Sequence, residues 1–331
     1  MFLPSMSLVL FHLLALHALV FCCQPSRFTD KIDKQALLEF QANLSENSGV
    51  VLASWNDSCA VCKWTGVVCG HKHKRVTGLD LSGMKLTGVI SPSIGNLSFL
   101  KSLSLADNSL YGSIPLEVGK LFRLQFLNLS KNILGGVIPL GISNCSALLT
   151  NDLSYNNLEH EVPSELGSLP LLVLLSLQGN YLHGKFPASF GNLTSLQKLD
   201  VGDIGNYKGF TAQKAKQASQ EIFLSLNDFK GEIPVTLTNI TSLRRFEIAE
   251  NQMTRSISSS FGRLKNMEVL VPSHNSLGSY SWRDLDFLSS LSNCTQLQSL
   301  NVGYNRLGGE LPLSIANLSN QLTYQNISDM F

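Results

Sequence analysis

The amino-acid sequence predicts an α/β repeat fold, a right-handed solenoid whose units place short parallel strands on a concave face. Three observations carry this. Leucine returns every 24 residues: the row from Leu100 reads LKSLSLADNSLYGSIPLEVGKLFR, that from Leu124 LQFLNLSKNILGGVIPLGISNCSA, and that from Leu172 LVLLSLQGNYLHGKFPASFGNLTS. The rows share the template LxxLxLxxNxLxGxIPxxhGxL, with h apolar. They begin in strict step at Val76, Leu100, Leu124, Leu148, Leu172 and Leu196, then less regularly at Ser219, Leu243, Met267 and Leu297, with an eleventh from Leu322. One such unit cannot bury its apolar face alone, but stacked units can.

Each template position has a physical role. Leu103 and Leu105 alternate and point inward from one short strand, while Ser104 points to the concave surface. Asn108 follows where the chain leaves the strand; a buried Asn there satisfies backbone groups of the turn, and stacked copies form a ladder. Gly112 suits a tight or left-handed backbone, and Pro115 fixes φ and donates no hydrogen bond. Ile114, Val118 and Leu121 bury the return segment.

Departures from the template mark imperfect stacking. Met84 takes the Asn position of the first repeat and Ser91–Pro92 its Pro position; Asn151 takes an inward Leu position of the fourth. Arg255 and Ser258 replace Gly and Pro in the eighth. Pro272 falls in the strand of the ninth, which predicts an edge or a bulge, and six extra residues separate the ninth from the tenth. The sixth repeat keeps Leu196, Leu199 and Val201, then runs DIGNYKGFTAQKAKQASQE without LxGxIP. Two readings of residues 202–218 stand, a degenerate repeat with a helical convex side or a sequence error that keeps the frame. Either lets the ladder resume at Ile222 and Leu224.

Residues 1–23 read as a signal peptide. Their apolar run, Leu8 to Phe21, is interrupted only by His12 and His17 and is too short for a comfortable membrane span. No later window offers 18 apolar residues. Residues 24–75 read as an N-terminal cap, and 76–331 as the repeats. In the cap, Leu37, Phe40 and Leu44 recur at helical spacing behind Asp30 and Asp33, which suit a helix start. Trp55 and Trp64 can cover the open end of the first repeat.

Cysteine use fits secretion. Cys62 and Cys69 bracket a short loop that a disulfide can close, with Cys59 near enough to compete. Cys145 and Cys294 share one inward phase and read as buried small hydrophobes. A zinc reading of Cys59, Cys62 and Cys69 with His71 and His73 is disfavoured by the oxidising compartment, so no metal or cofactor is expected. The net charge is only +1, and HKHKR from His71 to Arg75 reads as a solvated connector, so no nucleic-acid partner is expected. Asp80, Asp152 and Asp200 share an outward strand phase but lack a partner base, so they read as solvated strand residues and no enzyme site is expected.

Ten N-x-S/T sequons occur, at Asn43, Asn56, Asn96, Asn128, Asn144, Asn192, Asn239, Asn293, Asn317 and Asn326. Six of them, Asn96, Asn144, Asn192, Asn239, Asn293 and Asn317, share one phase on the return segment, which places their glycans away from the concave strands.

The cap pattern DKQALLEFQANL…ASWNDSCAVCKWTGVVC, followed by RVTGLDLSGMKLTGVISPSIGNLSFL, resembles the ectodomain start of plant leucine-rich-repeat receptor-like kinases. The segment NSLGSYSWRDLDFLSSLSNCTQL resembles the insertion of the subfamily that includes the elongation-factor-Tu receptor. The resemblance implies a plant-type leucine-rich-repeat solenoid at the cell surface or outside the cell. It also implies a peptide or protein ligand and a leucine-rich-repeat co-receptor kinase as partner. The 331 residues carry no kinase signature, neither HRD, DFG nor a Gly-rich phosphate loop. They also carry no C-terminal cysteine cap, which argues against a free-standing inhibitor resembling the polygalacturonase-inhibiting proteins. That inhibitor, a decoy and a non-functional truncated product stay open as alternatives. For a truncated product, stability is expected to fade inward from Leu322 and from the sixth repeat.

Within the cap a Cys62–Cys69 disulfide is expected. For ligand binding, the outward concave positions Phe126, Tyr155, Leu174, Phe223, Arg245, Glu247 and Tyr304 are the candidates, because exposed aromatics and Arg dominate interface hot spots.

Overall fold

The computed structural model describes residues 31–45, 52–202 and 220–328. The signal-peptide reading of residues 1–23 and the competing readings of 202–218 fall, but for Gly202, outside the described residues. Two sheets run the length of the stack. The concave sheet has twelve described strands, from Val67–Cys69 and Val76–Asp80 to Ser299–Asn301 and Tyr324–Asn326, in sequence order. Its pairings are parallel except the first, where the cap strand Val67–Cys69 runs antiparallel to Val76–Asp80.

The expected ladder is present. The Asn132 amide nitrogen donates to the carbonyls of Leu105, Leu129 and Ser130 at 2.9, 3.1 and 3.2 Å, and its oxygen accepts from Leu110 N–H at 3.0 Å. Asn108, Asn156, Asn251, Asn275 and Asn305 repeat both sides of this pattern. One amide thus joins the strand exit of its own repeat to two backbone groups of the repeat before.

A second sheet was not foreseen. Among the described residues eight short strands follow the Asn position in their repeats (Met84 in the first), from Thr87–Val89 and Ser109–Ser113 to Gln252–Arg255 and Ser276–Leu277, all parallel. Only the Leu of each LxG is consistently inward, so no alternation announces a strand. The return segments are 3₁₀ turns that start behind a Pro or Ser, such as Leu116–Lys120 behind Pro115.

At the sixth repeat the two sides of the solenoid differ. The concave sheet keeps its strand, Lys198–Asp200, which pairs with Gln220–Phe223, so the ladder does resume at Ile222 and Leu224. The second sheet passes directly from repeat 5 to repeat 7, Tyr181–Lys185 pairing with Asp228–Glu232. On the far side Thr236 Oγ1 donates to the Ala188 carbonyl at 2.6 Å, leaving no space between these repeats.

Pro272 does not make an edge or a bulge. It follows the strand Val269–Val271, which is paired on both sides. At this phase other repeats donate an N–H to the next strand, as Leu105 does to the Asn128 carbonyl and Ile248 to that of Val271. Pro272 lacks that one bond, and its carbonyl still accepts from Asn275 and Asn305.

The cap is anchored differently from expectation. Helix α1, Lys31–Ala42, buries Leu37 and Phe40, but Leu44 lies beyond its end and bridges Gly88. Asp33 stands in the first turn of the helix, as expected, but its carboxylate is also buried and accepts two bonds from the Arg75 guanidinium, at 2.9 and 2.7 Å, and one from Val76 N–H at 2.8 Å. Arg75 is therefore a cap anchor, while His71 to Lys74 are exposed as a connector. Trp55 and Trp64 are buried and stack at 5.4 Å. Cys62 and Cys69 form the expected disulfide, Cys59 is a free thiol, and Cys145 and Cys294 are buried, burial pushing both thiols up to about 11. The disulfide takes two of the thiolates a zinc site would need.

The insertion before repeat 10 folds around Asp284. Its carboxylate accepts from the N–H groups of Ser279, Ser281 and Gly308 at 2.9, 2.8 and 3.2 Å, and from Ser256 Oγ at 3.3 Å. A short helix, α2 (Asp286–Ser290), follows. Burial alone raises the carboxyl pKa; the hydrogen bonds outweigh it and hold the group below its usual value. Such a shift stabilises the fold above the unfolded pKa of about 3.9, and the contribution is lost as pH falls through the folded value. Asp284→Ala is expected to cost about 2–3 kcal/mol at neutral pH and to flatten the acid side of the stability–pH curve, measured by chemical denaturation.

Asn151 is fully buried between Leu127 and Leu175, its strand neighbours, and neither its amide nitrogen nor its oxygen has a partner. Asn151→Leu restores the template and removes two orphaned groups, so a gain of about 1–3 kcal/mol is expected by the same measurement.

Candidate ligand-binding surface

The concave sheet offers two outward columns, one on each side of the buried Leu of each strand. Phe126, Leu174 and Arg245 stand in the first, and Phe223 and Glu247 in the second. Tyr155 and Tyr304 are not strand residues. They sit three residues past the strand ends, in the left-handed conformation at φ 53° and 56°. The same phase is left-handed at Asp107, Lys131, Leu226, Glu250 and His274. These residues form a ridge beside the sheet, a third column hidden by placing Tyr155 and Tyr304 in strands.

The seven candidates fall into three groups rather than one pocket. In repeats 3 to 5, Phe126 and Leu174 lie in one row, and Tyr155 stands beside them. The Tyr155 hydroxyl accepts from Gln178 Nε2 at 2.8 Å, and its ring packs so closely on Gly179 that a Cβ there would meet it at 2.7 Å. Phe126 and Tyr155 remain about half exposed, at 46% and 48%. In repeats 9 and 10, Tyr304 stacks on His274 at 4.1 Å.

The middle group, from repeat 6 to the start of repeat 9, is charged. Arg245 pairs with Glu247 at 3.3 Å, Lys198 with Asp200 at 3.0 Å, and Arg244 with Glu268. Lys198 also lies 5.6 Å from the Phe223 ring. Asp200 is buried, unlike the solvated strand residue expected from its phase, and one carboxylate oxygen has no partner. Burial raises the pKa of Asp200, against Lys198, and that of Glu247, against Arg245, with Glu221 and Asp200 adding to the rise at Glu247. A raised carboxylate opposes the charged folded state at neutral pH, and that cost disappears as pH falls through the folded value. Lys198, Glu221 and His274 belong to these groups and were missed in the sequence, although the 24-residue phase marks each one.

Among the described residues no cluster of three or more His, Cys, Asp or Glu is placed to hold a metal, and no helix is long and apolar enough to cross a membrane.

The six in-phase sequon asparagines each end a 3₁₀ turn and are exposed, away from the concave sheet. Asn43 and Asn56 are exposed in the cap. Asn128 and Asn326 instead lie in the second concave column, each accepting from the N–H and hydroxyl of the Ser two residues on. Glycopeptide mass spectrometry of protein secreted by plant cells is expected to find the six turn positions occupied and Asn128 and Asn326 largely bare. Equal occupancy at Asn128 would contradict this division of faces.

Comparison with known proteins agrees with the geometry. Residues 30–70 match the leucine rich repeat N-terminal domain, and residues 75–97, 99–121, 123–145, 171–193 and 296–318 match the Leucine Rich Repeat. Over 357 aligned positions the chain is 52% identical to a receptor-like protein kinase of Arabidopsis thaliana, covering 93% of this chain and 35% of that protein. Over 119 positions it is 56% identical to the LRR receptor-like serine/threonine-protein kinase EFR of Arabidopsis thaliana, covering 36% of this chain and 11% of that one. The Arabidopsis receptor kinase HAESA, solved in complex with the peptide hormone IDA and the co-receptor SERK1, superposes with a TM-score of 0.58 at 29% identity, covering 89% of this chain and 50% of that chain. The chain thus spans about a third of the first relative's length.

Proposed function

We propose that this chain is the N-terminal part of the ectodomain of a plant leucine-rich-repeat receptor-like kinase, and that it binds a peptide or protein along its concave face. The observation that carries the reading is the division of surfaces. Exposed aromatic and charged side chains line one continuous parallel sheet, while six sequons stand on the return turns. Aromatic and Arg side chains on a rigid scaffold are what a peptide interface uses for its anchors.

The same reading puts the chain in the secretory pathway and outside the cell or at its surface, where the Cys62–Cys69 disulfide is stable. Binding along the sheet, rather than catalysis, is the role this division of surfaces supports. The HAESA complex, with its peptide hormone and co-receptor, is the precedent for proposing both kinds of partner here.

The test is a synthetic peptide library titrated against the secreted chain by fluorescence anisotropy. Peptides that bind are expected to lose affinity about tenfold or more against Phe126→Ala/Tyr155→Ala. They should be unaffected by Leu140→Ala, an exposed residue on a return turn. Hits insensitive to the double substitution would overturn the concave-face reading.

A further inference from the structure

We infer that the flank of repeats 1 to 3, beside the concave sheet, receives an acidic segment of a peptide or protein ligand whose carboxylates alternate with apolar side chains. This rests on the concave-face reading and adds the chemistry of the ligand.

Arg75, Phe99 and Arg123 are spaced 24 residues apart and so share one phase, each directly before the first residue of repeats 1, 2 and 3. The Arg75 guanidinium carbon lies 4.6 Å from the Phe99 ring centroid, and that of Arg123 lies 4.2 Å from the same centroid. Arg75 is committed to Asp33 and to Ser98 Oγ. It holds the ring in place and leaves the ligand to its neighbour. Arg123 is exposed, and among the described residues its side chain has neither an ion pair nor a hydrogen bond. A guanidinium stacked on a ring is pre-oriented and keeps its edge N–H groups for a bidentate carboxylate.

Other cations surround it. Lys101, at the entry to the next concave strand, is exposed and likewise unpaired among the described residues, as are Lys72 and Lys74 in the connector. Asp33, the acid paired with Arg75 in this stack, is bound to Arg75 and Val76. The surface is therefore a local excess of positive charge on a chain whose net charge is only +1.

The apolar half of the ligand is read from Phe122 and Phe126. They bracket Arg123 in sequence and are 63% and 46% exposed. Two exposed rings within three residues of an unpaired guanidinium suit a chain that alternates acidic and apolar side chains. A polyuronate presents carboxylates without apolar side chains. Phe126 also belongs to the concave sheet, so a ligand seated here continues directly onto it.

The test titrates the full chain, in an Asn96→Gln background that removes the sequon beside Phe99, with three labelled probes. They are a short peptide alternating Glu or Asp with Leu or Phe, the same peptide with Lys for each acid, and an oligogalacturonide of equal charge. The first is expected to bind, more weakly as salt rises, and to lose about tenfold or more with Arg123→Ala/Lys101→Ala. Phe99→Leu, which leaves the Arg75–Asp33 anchor intact, is expected to weaken it severalfold with no loss of fold by circular dichroism. Leu140→Ala, on a return turn, is expected to leave it unchanged. No binding of the acidic peptide, binding indifferent to the Arg123 and Lys101 substitutions, or equal affinity for the oligogalacturonide would each overturn the inference. Loss through Tyr304→Ala alone would overturn this flank while leaving the concave-face reading intact. Insensitivity of library hits to Phe126→Ala/Tyr155→Ala would sink that reading by itself.

Discussion

One asparagine amide per repeat holds this solenoid together. A concave strand must end and turn away, and at that point its backbone groups lose their sheet partners inside an apolar core, where an orphaned group costs about 1–3 kcal/mol. A single side chain with two donors and one acceptor closes the deficit. In Asn132 it ties Leu105, Leu129 and Ser130 to itself and takes Leu110 N–H in return. Because two of these partners belong to the repeat before, the amide also sets the spacing between units. The leucines supply the burial; the asparagines supply the register. In the first repeat Met84 stands at this position, and the cap joins the stack at the strand's entry instead, Asp33 accepting from the N–H of Val76.

The periodic part of this structure was legible in the sequence, because a fixed phase reports burial directly. Leu, Asn, the inward cysteines and the exposed sequons were all found that way. The second sheet was not, because its strands bury little more than one Leu each, and a strand without alternation leaves no pattern to read. Asp33 was read correctly as an acid in a helix's first turn, but its second role was not legible, because its partner Arg75 is 42 residues away. Pro272 was misjudged because the expectation treated the whole strand as one unit. In repeats this short, the residue lost only a single bond at the strand exit. Of the surface candidates, strand phase placed five residues correctly. It failed for Tyr155 and Tyr304, since the turn lies outside the period-two pattern that strand reasoning uses.

The sixth repeat shows how far a solenoid can tolerate a poor unit. Its concave strand survives on three residues and two inward side chains, Leu199 and Val201. The other side closes instead by pairing its neighbours, repeat 5 with repeat 7. Both sheets remain continuous although they count the repeats differently. The same logic governs the insertion before repeat 10, where one carboxylate gathers three backbone N–H groups so that extra residues fold beside the stack without parting it.

The left-handed ridge has a consequence for how such a surface can diversify. At φ near 55° a side chain branched at its β carbon crowds the backbone, so Val, Ile and Thr are effectively closed to these positions. The residues that do stand there, Asp107, Lys131, Tyr155, Leu226, Glu250, His274 and Tyr304, span acid, base, aromatic and aliphatic chemistry, and none is β-branched. The two strand columns carry no such restriction and do hold Thr150, Val269 and Val271. Mutation can therefore swap charge for aromaticity along the ridge one residue at a time, with the backbone unmoved. The stiffest side chains remain confined to the floor of the groove.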